Sequence, residues 1–457
     1  MVSKPRIALF GIVLSCLALG LASRDRLLAE PQSQDDSRPD IVVTLSGAQR
    51  PLVRLAIPAA SFRGVVNGEG AAAGREIEST IRADLDSSRI FVIQGVAELA
   101  VLQLSGDDDR DRELFRSLGN EVVLEMDLQE EGDRLVLEGR VVDLESGQTV
   151  LGKRYRGQFS LARRIAHTLA DEVVQYFSQQ PGIALSTISF VSDRQAPYQQ
   201  KEIYLMDYDG WNQRPITAHR SLSLAPDWSP DGQLLAYVTY VRGSPGIFVA
   251  DFRRNGEKRA LVTDGTLNSS PSFAPDGRRF ALTRSTGGSS QIYVADTNGG
   301  GLRQLTYSPG IDTSPAWSPG GREIAFTSSR SGSPQIYVMD SEGANLRRIS
   351  TQGSYNDGAA WSPDGTRLAY ASRRRGTFNI AITDLVTLET SLVTAGRSSD
   401  ESPVYSPDGR KIAFASTRSY RRRRETQVYV VDVDGANLKQ LTSEGNNYSP
   451  AWSRRRP

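Results

Sequence analysis

Six short polar side chains recur at nearly constant spacing in the C-terminal part of the sequence. The steps between them are 45, 44, 44, 44 and 47 residues. Their hydroxyl, carboxamide and carboxylate groups can hydrogen-bond an incoming loop, and the two carboxylates could also bind a cation. Capping of the loop backbone is the alternative role, since Asn and Asp commonly do this. The six are Ser223, Asn268, Asp312, Asn356, Asp400 and Asn447.

Each polar residue precedes a copy of one short motif, an aromatic residue followed by Ser-Pro-Asp-Gly or a close variant. Proline fixes one corner of a tight turn, Asp bonds the local backbone, and Gly accepts a positive φ. A period near 44 residues with β-type composition predicts a propeller in which one repeat is one blade. The copies are Trp228–Gly232, Phe273–Gly277, Trp317–Gly321, Trp361–Gly365, Tyr405–Gly409 and the irregular Trp452–Arg456.

Four short apolar runs in each repeat are typical of strands. In one repeat they are Ala316–Trp317, Ile324–Phe326, Ile336–Val338 and Leu346–Ile349. Their alternating, β-branched and aromatic content predicts a four-stranded blade. An aspartate closes each third strand, and we expect it to accept backbone N–H groups of the following turn. These aspartates are Asp207, Asp251, Asp296, Asp340, Asp384 and Asp432.

The two ends of the repeat region are complementary. The region opens with a second-strand copy at Ile188–Phe190 and closes with a first-strand copy at Pro450–Trp452. Neither end completes a blade alone, so the sequence predicts an all-β six-bladed propeller closed by pairing of its two ends. Because first strands line a propeller's channel, the six polar residues should ring one mouth.

The chain before the repeats predicts three segments. Lys4 and Arg6 precede an apolar run, so residues 1–22 read as a signal peptide. Cys16 leaves lipidation open, although apolar residues follow it where a lipidated protein would have a polar tether. Residues 23–39 are expected to be a flexible leader. Residues 40–182 form an α/β domain, and residues 183–457 form the propeller.

The α/β domain is predicted from periodicity. Helices are expected over residues 74–87, 107–118 and 160–178, with Ser160 as the cap of the last one. Strands are expected over residues 52–57, 90–93, 122–128, 135–144 and 149–155.

Composition argues against an enzyme. One cysteine and two histidines among 457 residues disfavour a histidine-based metal or acid–base centre, and no cofactor or metal is expected. No Gly-x-Ser-x-Gly motif occurs, which disfavours the hydrolase domain of propeller-containing peptidases. The formal charge of +1 gives no global field that would attract nucleic acid.

Two arginine runs lie in linkers between second and third strands, on the same expected face as the polar ring. Such runs are often solvated surface. The functional alternative is attraction to an anionic partner, a lipid headgroup or an acidic protein loop. This predicted basic rim comprises Arg373, Arg374, Arg375, Arg421, Arg422, Arg423 and Arg424.

The chain resembles the TolB family, the periplasmic β-propeller proteins of the Tol–Pal system. The resemblance is carried by the domain order and by the segments His167–Glu172, Asp207–Asn212, Leu235–Thr239 and Asn447–Trp452. It implies a monomeric, non-enzymatic scaffold in the periplasm, peripheral to the outer membrane. It also implies docking of the lipoprotein Pal at one propeller mouth and support of outer-membrane integrity and constriction at division.

The resemblance further implies that an N-terminal segment engages TolA of the inner-membrane complex. That segment corresponds to Asp40, Ile41, Val42 and Val43, although the leader before it is longer than the family pattern. A propeller module that binds cell-wall or other carbohydrate remains the alternative, because Trp, Tyr and Arg at a mouth could also serve sugars. Binding to peptidoglycan sugars without a protein partner would favour that alternative.

Overall fold

The computed structural model describes residues 52–63, 68–95, 98–99, 102, 104–105, 107–195, 200–418 and 425–453. The predicted signal peptide, the leader, the segment Asp40–Val43 and the arginines Arg421–Arg424 lie outside the described residues. Every helix within these ranges is too short or too polar to cross a membrane.

The α/β domain is built on one mixed sheet. Strand β1 pairs in parallel with β3 and β4, while β4, β5 and β6 form an antiparallel meander and β2 adds to β4. The short β2 was not predicted from the sequence. The strands are β1 Val53–Ala56, β2 Ser61–Arg63, β3 Phe91–Ile93, β4 Val122–Glu131, β5 Arg134–Asp143 and β6 Thr149–Gln158.

The helices with described bounds in this domain are α1 Gly68–Ser87, α2 Asp108–Ser117 and α3 Ala162–Ser178. The apolar faces of α1 and α3 pack on the sheet around fully buried Ile77 and Leu169. The carboxylate of Asp107 caps α2, as expected for acidic residues at a helix start. The predicted Ser160 cap is wrong, because a 3₁₀ turn extends the start and the N-cap is Leu161, which makes no side-chain bond.

The propeller consists of six four-stranded sheets, which we number as blades one to six. Blade one contains β30 Asn447–Trp452, β7 Thr187–Ser192, β8 Glu202–Asp207 and β9 Arg214–Pro215. Blade two contains β10 Ser223–Trp228, β11 Leu234–Thr239, β12 Gly246–Asp251 and β13 Glu257–Val262. Blade three contains β14 Leu267–Phe273, β15 Arg279–Ser285, β16 Gln291–Asp296 and β17 Arg303–Gln304.

Blades four to six repeat the pattern. Blade four contains β18 Asp312–Trp317, β19 Glu323–Ser328, β20 Gln335–Asp340 and β21 Arg347–Arg348. Blade five contains β22 Tyr355–Trp361, β23 Arg367–Arg374, β24 Thr377–Asp384 and β25 Thr390–Leu392. Blade six contains β26 Asp400–Tyr405, β27 Lys411–Ser416, β28 Gln427–Asp432 and β29 Lys439–Gln440.

The predicted ring closure is confirmed in blade one. Strand β30 from the end of the chain pairs antiparallel with β7, placing Trp452 opposite Ile188. The Trp452 indole N–H donates to Ser186 Oγ at 2.7 Å, and both residues are buried. Without this pairing β7 would be an unpaired sheet edge, so closure covers that edge and completes blade one. The chain is therefore an α/β domain followed by a closed six-bladed propeller.

The predicted turn chemistry is confirmed in the Ser229–Gly232 turn and, among the strand-closing aspartates, at Asp251, Asp340 and Asp384. Asp432 instead binds the side chains of Lys411 and Asn437. In the Ser229–Gly232 turn, Gly232 has φ +70° and donates its N–H to Ser229 O at 2.9 Å. Asp340, which closes a third strand, accepts the N–H groups of Glu342 and Ala344 at 3.0 and 2.8 Å. These local bonds fix the blade ends and so position the two faces of the propeller.

Candidate functional site at the propeller mouth

The α/β domain packs on one end of the propeller. Arg410, in a turn between first and second strands, donates to Ser88 O at 3.2 Å. Arg89 approaches Asp432 and Asp434, at a turn between third and fourth strands, at 3.5 Å each. First strands begin at the opposite end of the blades, together with the loops between second and third strands. We call that end, where the six polar residues lie, the open mouth.

The six polar residues occupy the first or second position of their first strands, so the predicted ring at one mouth exists. Their side chains do not face solvent, because all six residues are 0% exposed. Burial of polar groups is tolerated when they are hydrogen-bonded, and each of the six has partners within the protein. The ring therefore organises the loops above it, and direct contact with a partner stays a prediction.

In blades four and six the ring residue is a carboxylate that holds an arginine. Asp312 accepts from Ser328 Oγ at 2.5 Å and from Arg330 Nη2 at 2.9 Å. Asp400 has the same arrangement, accepting from Ser416 Oγ at 2.5 Å and from Arg418. Charge-assisted bonds of this kind are the strong ones in proteins, so they fix both guanidinium groups at the open mouth.

Blade one contains a neutral version of this arrangement. Arg194 donates to Ser192 Oγ at 3.0 Å and to Asn447 Oδ1 at 3.1 Å. Its guanidinium also lies over the rings of Phe190 and Tyr204, at 5.4 and 4.9 Å. Arg330 and Arg418 stack on the matching aromatic pairs of their own blades. Stacking adds to the bonds that hold these cations in place.

The other three ring residues bind loop backbone and neighbouring side chains. Asn268 donates to Asp264 O at 2.7 Å, and Asn356 donates to Gln352 O at 2.8 Å. Ser223 Oγ lies 3.4 Å from a carboxylate oxygen of Glu202. The loop-capping role that the sequence left open is thus realised by Asn268 and Asn356.

Sequence reasoning missed the three arginines Arg194, Arg330 and Arg418. A recurring Ser-x-Arg after the second strand, as in Ser328-Ser-Arg330, was the signal that could have found them. The serine hydroxyl accepts from both the backbone N–H and the Nε of the arginine in this motif. These bonds orient the guanidinium so that it donates to the ring residue of the same blade.

The first arginine run of the predicted basic rim sits on a protruding hairpin. Strands β23 and β24 pair as far as Arg374 and Thr377, and the turn residues Arg375 and Gly376 have φ +50° and +92°. Arg373 and Arg375 are exposed, and Arg373 lies 6.0 Å from the ring of Phe378. This hairpin presents positive charge beside the open mouth.

The channel behind the mouth is narrowed by a bulge in every first strand. One residue per strand adopts a positive φ there: Ala225, Ser270, Ser314, Gly358, Ser402 and Ser449. These residues line a central cavity of about 340 Å³. Burial raises the pKa of Asp227 in this channel to about 7, and burial also raises the pKa of Asp357. Both carboxyl groups are held between blades, since Asp227 accepts the N–H of Phe273 at 2.7 Å and Asp357 accepts from Thr327 Oγ1 at 2.7 Å.

The described residues contain no cluster of three or more His, Cys, Asp or Glu suited to a metal ion. Asp312 and Asp400, the possible cation ligands of the sequence analysis, instead bind Ser and Arg within their own blades. The arrangement at the mouth suits recognition by hydrogen bonds and charge.

His167 belongs to the junction between the two domains. Its Nδ1 lies 2.6 Å from Asp84 Oδ2, and Tyr208 of the propeller donates to Asp84 Oδ1 at 2.5 Å. Burial alone would lower the pKa of His167, but the bond and charge of Asp84 raise it overall. Nearby, Asp171 accepts the N–H groups of Ala184 and Leu185 in the interdomain linker.

Known proteins resemble this chain in sequence and in fold. The family model described as the TolB beta propeller domain matches residues 174–456. The Tol-Pal system protein TolB of Desulfosudis oleivorans is 35% identical over 147 residues, or 32% of this chain and 33% of that protein. The protein of the same name from Geobacter sulfurreducens is 36% identical over 195 residues, or 42% of this chain and 43% of that protein.

A solved structure extends the likeness over both domains. The crystal structure of TolB from Acinetobacter baumannii matches with a TM-score of 0.74 and 25% identity, covering 88% of this chain and 97% of that one. The sequence matches to the two curated relatives, by contrast, span less than half of each relative's length.

Proposed function

Because the chain belongs to the TolB β-propeller family, we propose that it is a non-enzymatic periplasmic scaffold of the Tol–Pal system. The observation that carries the proposal is the open mouth, where repeated polar anchors hold guanidinium groups at the end of the propeller opposite the α/β contacts. A rigid, charged rim around a closed ring suits capture of a protein loop or domain.

In this proposal the lipoprotein Pal docks at the open mouth. Arg330 and Arg418 are fixed by their ring carboxylates, so they lose little side-chain freedom when a partner binds. The exposed Arg373 and Arg375 add charge that steers an acidic partner surface. The six buried ring residues then contribute by holding these loops in one conformation.

The proposed second partner is a TolA-type inner-membrane protein. Its contact is the N-terminal segment Asp40–Val43, for which the family resemblance is the support. Two partners bound at separate parts of one chain would connect the two membranes across the periplasm. The same connection would support outer-membrane integrity and constriction at division.

The test is a titration of the chain from Ser23 onwards with soluble Pal from the same cell. The Arg373→Glu/Arg375→Glu double variant reverses two exposed charges at the mouth without touching a buried group. We expect saturable binding that this variant weakens at least tenfold, since desolvated charged contacts are worth about 1.5–3 kcal/mol each. Arg303→Glu, on an exposed fourth strand away from the mouth, is the matched control.

The possible results distinguish the location of the docking surface from the scaffold function itself. Tight binding that survives the double variant would keep the scaffold function and remove the arginine hairpin from the docking surface. Absence of any binding to Pal would refute the docking proposal. Binding to purified peptidoglycan sugars at the mouth, with none to Pal, would establish the carbohydrate alternative instead.

A further inference from the structure

A second cavity lies at the junction of the two domains, at the end of the propeller away from the open mouth. It has a volume of about 590 Å³, within the range of small-molecule sites. Helix α3 contributes Arg164, and blades one and two contribute the other walls. The lining residues are Arg164, Thr187, Leu205, Asn212, Gln213, Arg214, Trp228 and Phe252. We call this cavity the junction cleft.

The charge of the junction cleft is unbalanced. Its lining includes Arg164 and Arg214 but neither Asp nor Glu. The nearby carboxylates have other partners, since Asp209 binds Arg163 and Asp207 binds the Asn212 amide. Both arginines are exposed, so an anionic group in the cleft can reach them, and a guanidinium group binds a carboxylate in bidentate fashion.

Arg214 can be compared with the cations that occupy the same position in other blades. Arg303 and Arg347 occupy the same first position of a fourth strand in blades three and four. Arg303 pairs with Glu342 at 2.9 Å, and Arg347 pairs with Glu323 at 2.7 Å. Among the residues that the structure describes, no carboxylate takes this role for Arg214. Lys439, at the same position in blade six, also makes no ion pair within the described residues, so the distinguishing feature of Arg214 is that it lines a cavity.

The indole of Trp228 gives an independent indication of a ligand. Trp228 is 8% exposed, and its Nε1 has no hydrogen-bond partner within the described residues. The equivalent N–H groups of Trp361 and Trp452 donate to Ala316 O and Ser186 Oγ. Trp317 also lacks a partner, and both tryptophans line the central channel, but of these two only Trp228 also lines the junction cleft. A buried donor without an acceptor is costly, so a ligand acceptor in the cleft would satisfy it.

The remaining walls indicate what kind of anion fits. Trp228 stacks on Phe252 with ring centroids 5.4 Å apart, and buried Leu205 extends this apolar wall. Asn212 and Gln213 use their amide N–H groups within the protein, which leaves both amide oxygens to accept from ligand hydroxyls. An apolar wall, acceptors for hydroxyl groups and an arginine pair together match a ring that carries both hydroxyls and a carboxylate.

We propose that the junction cleft binds a sugar acid. The carboxylate lies between Arg164 and Arg214, the C–H face of the sugar ring packs on the apolar wall, and a ring or hydroxyl oxygen accepts from Trp228. Muramic acid of the cell wall and a free uronic acid share this chemistry. The proposal concerns a site distinct from the open mouth and does not depend on docking of a protein there.

The test is calorimetric titration of the chain from Ser23 onwards with four probes. N-acetylmuramic acid and glucuronic acid represent the two sources, N-acetylglucosamine is the neutral control, and inorganic phosphate is the bare anion. We expect saturable binding of at least one sugar acid and at least tenfold weaker binding of N-acetylglucosamine and of phosphate. Preference between the two acids identifies the source.

Variants test the location. Arg164→Gln/Arg214→Gln should weaken the sugar acid at least tenfold, whereas the exposed Arg347→Gln should leave its affinity within twofold. The Trp228 indole N–H resonance should shift on binding. No saturable binding of either acid, equal binding of the neutral sugar or of phosphate, or full affinity in the double variant would each overturn the proposal. Unchanged binding of Pal by the double variant would show that the two sites are separate.

Discussion

Removal of the Asp312 carboxylate tests how the ring holds the open mouth. The side chain is fully buried and accepts from Ser328 Oγ and Arg330 Nη2. In Asp312→Ala the Arg330 guanidinium, 80% removed from solvent, keeps its stacking on Phe326 and Tyr337 but loses its countercharge. Breaking a buried pair by removing one partner costs about 3–5 kcal/mol. Since Arg330 retains some solvent access, we expect about 3 kcal/mol.

The protein supplies its own matched control. In blade one, Asn447 holds Arg194 at 3.1 Å without a carboxylate. Asp312→Asn keeps one amide oxygen that can accept from Arg330, as Asn447 does from Arg194, although its NH₂ group cannot accept from Ser328 Oγ. This variant should therefore cost about 1–2 kcal/mol, less than the alanine variant. In the double variant Asp312→Ala/Arg330→Ala the loss in free energy of unfolding should be about 2 kcal/mol smaller than the sum of the two single losses. With both partners removed, no charge is left without its countercharge.

The assay is urea unfolding at pH 7, followed by tryptophan fluorescence, with the free energy of unfolding taken from the midpoint and slope. Equal losses in Asp312→Ala and Asp312→Asn would refute the reasoning, since an amide oxygen would then not replace the carboxylate as the acceptor for Arg330. If the losses in free energy of unfolding of the Asp312→Ala and Arg330→Ala variants were strictly additive in the double variant, the two side chains would not interact.

Three further outcomes follow from single contacts. Burial raises the pKa of Asp171 to about 6 in the folded protein. The stability that its neutral form contributes is complete below about pH 4 and is lost as the pH rises through 6, and at 1.36 kcal/mol per pKa unit it amounts to about 3 kcal/mol. Melting temperatures of Asp171→Asn should lack this dependence on pH. Gly358→Ala should cost about 1 kcal/mol, because φ is +67° and the added Cβ meets open space; an unchanged urea midpoint would contradict the strain. Ser186→Ala should cost about 1–2 kcal/mol by orphaning the Trp452 N–H at the ring closure, and an unchanged melting temperature would contradict that role.

Most of the fold could be predicted because its signals are local and repeated. The Ser-Pro-Asp-Gly turn fixes where each first strand ends, and the complementary ends of the repeat region imply closure without any knowledge of packing. Helices α1 and α3 were found from apolar residues on one face. The missed elements, β2 and the 3₁₀ turn before α3, are short segments whose backbone is set by neighbours such as β4.

The candidate site was predicted only in part. The positions of Asp312 and Asp400 on one mouth followed from the repeat, but their partners Arg330 and Arg418 did not. Ser-x-Arg is a weak pattern by itself, and its meaning appears only when the turn folds the guanidinium back over the strand. The solvent exposure of the six ring residues was also not predictable. A short polar residue at the start of a strand has the same sequence pattern whether or not a loop covers it.

The sequence by itself determined the number of blades, their order, the closure in blade one and the face on which the polar ring begins. These properties depend on the spacing of the repeated motif and on the alternation of apolar residues, both of which can be read directly from the sequence. Only the tertiary structure decided that Asp312 and its counterparts are buried, which end of the propeller the α/β domain covers, and that Arg214 lacks the carboxylate partner that Arg303 and Arg347 have. Those properties depend on contacts between side chains that are distant in the sequence. Such contacts form only when loops and domains pack against each other.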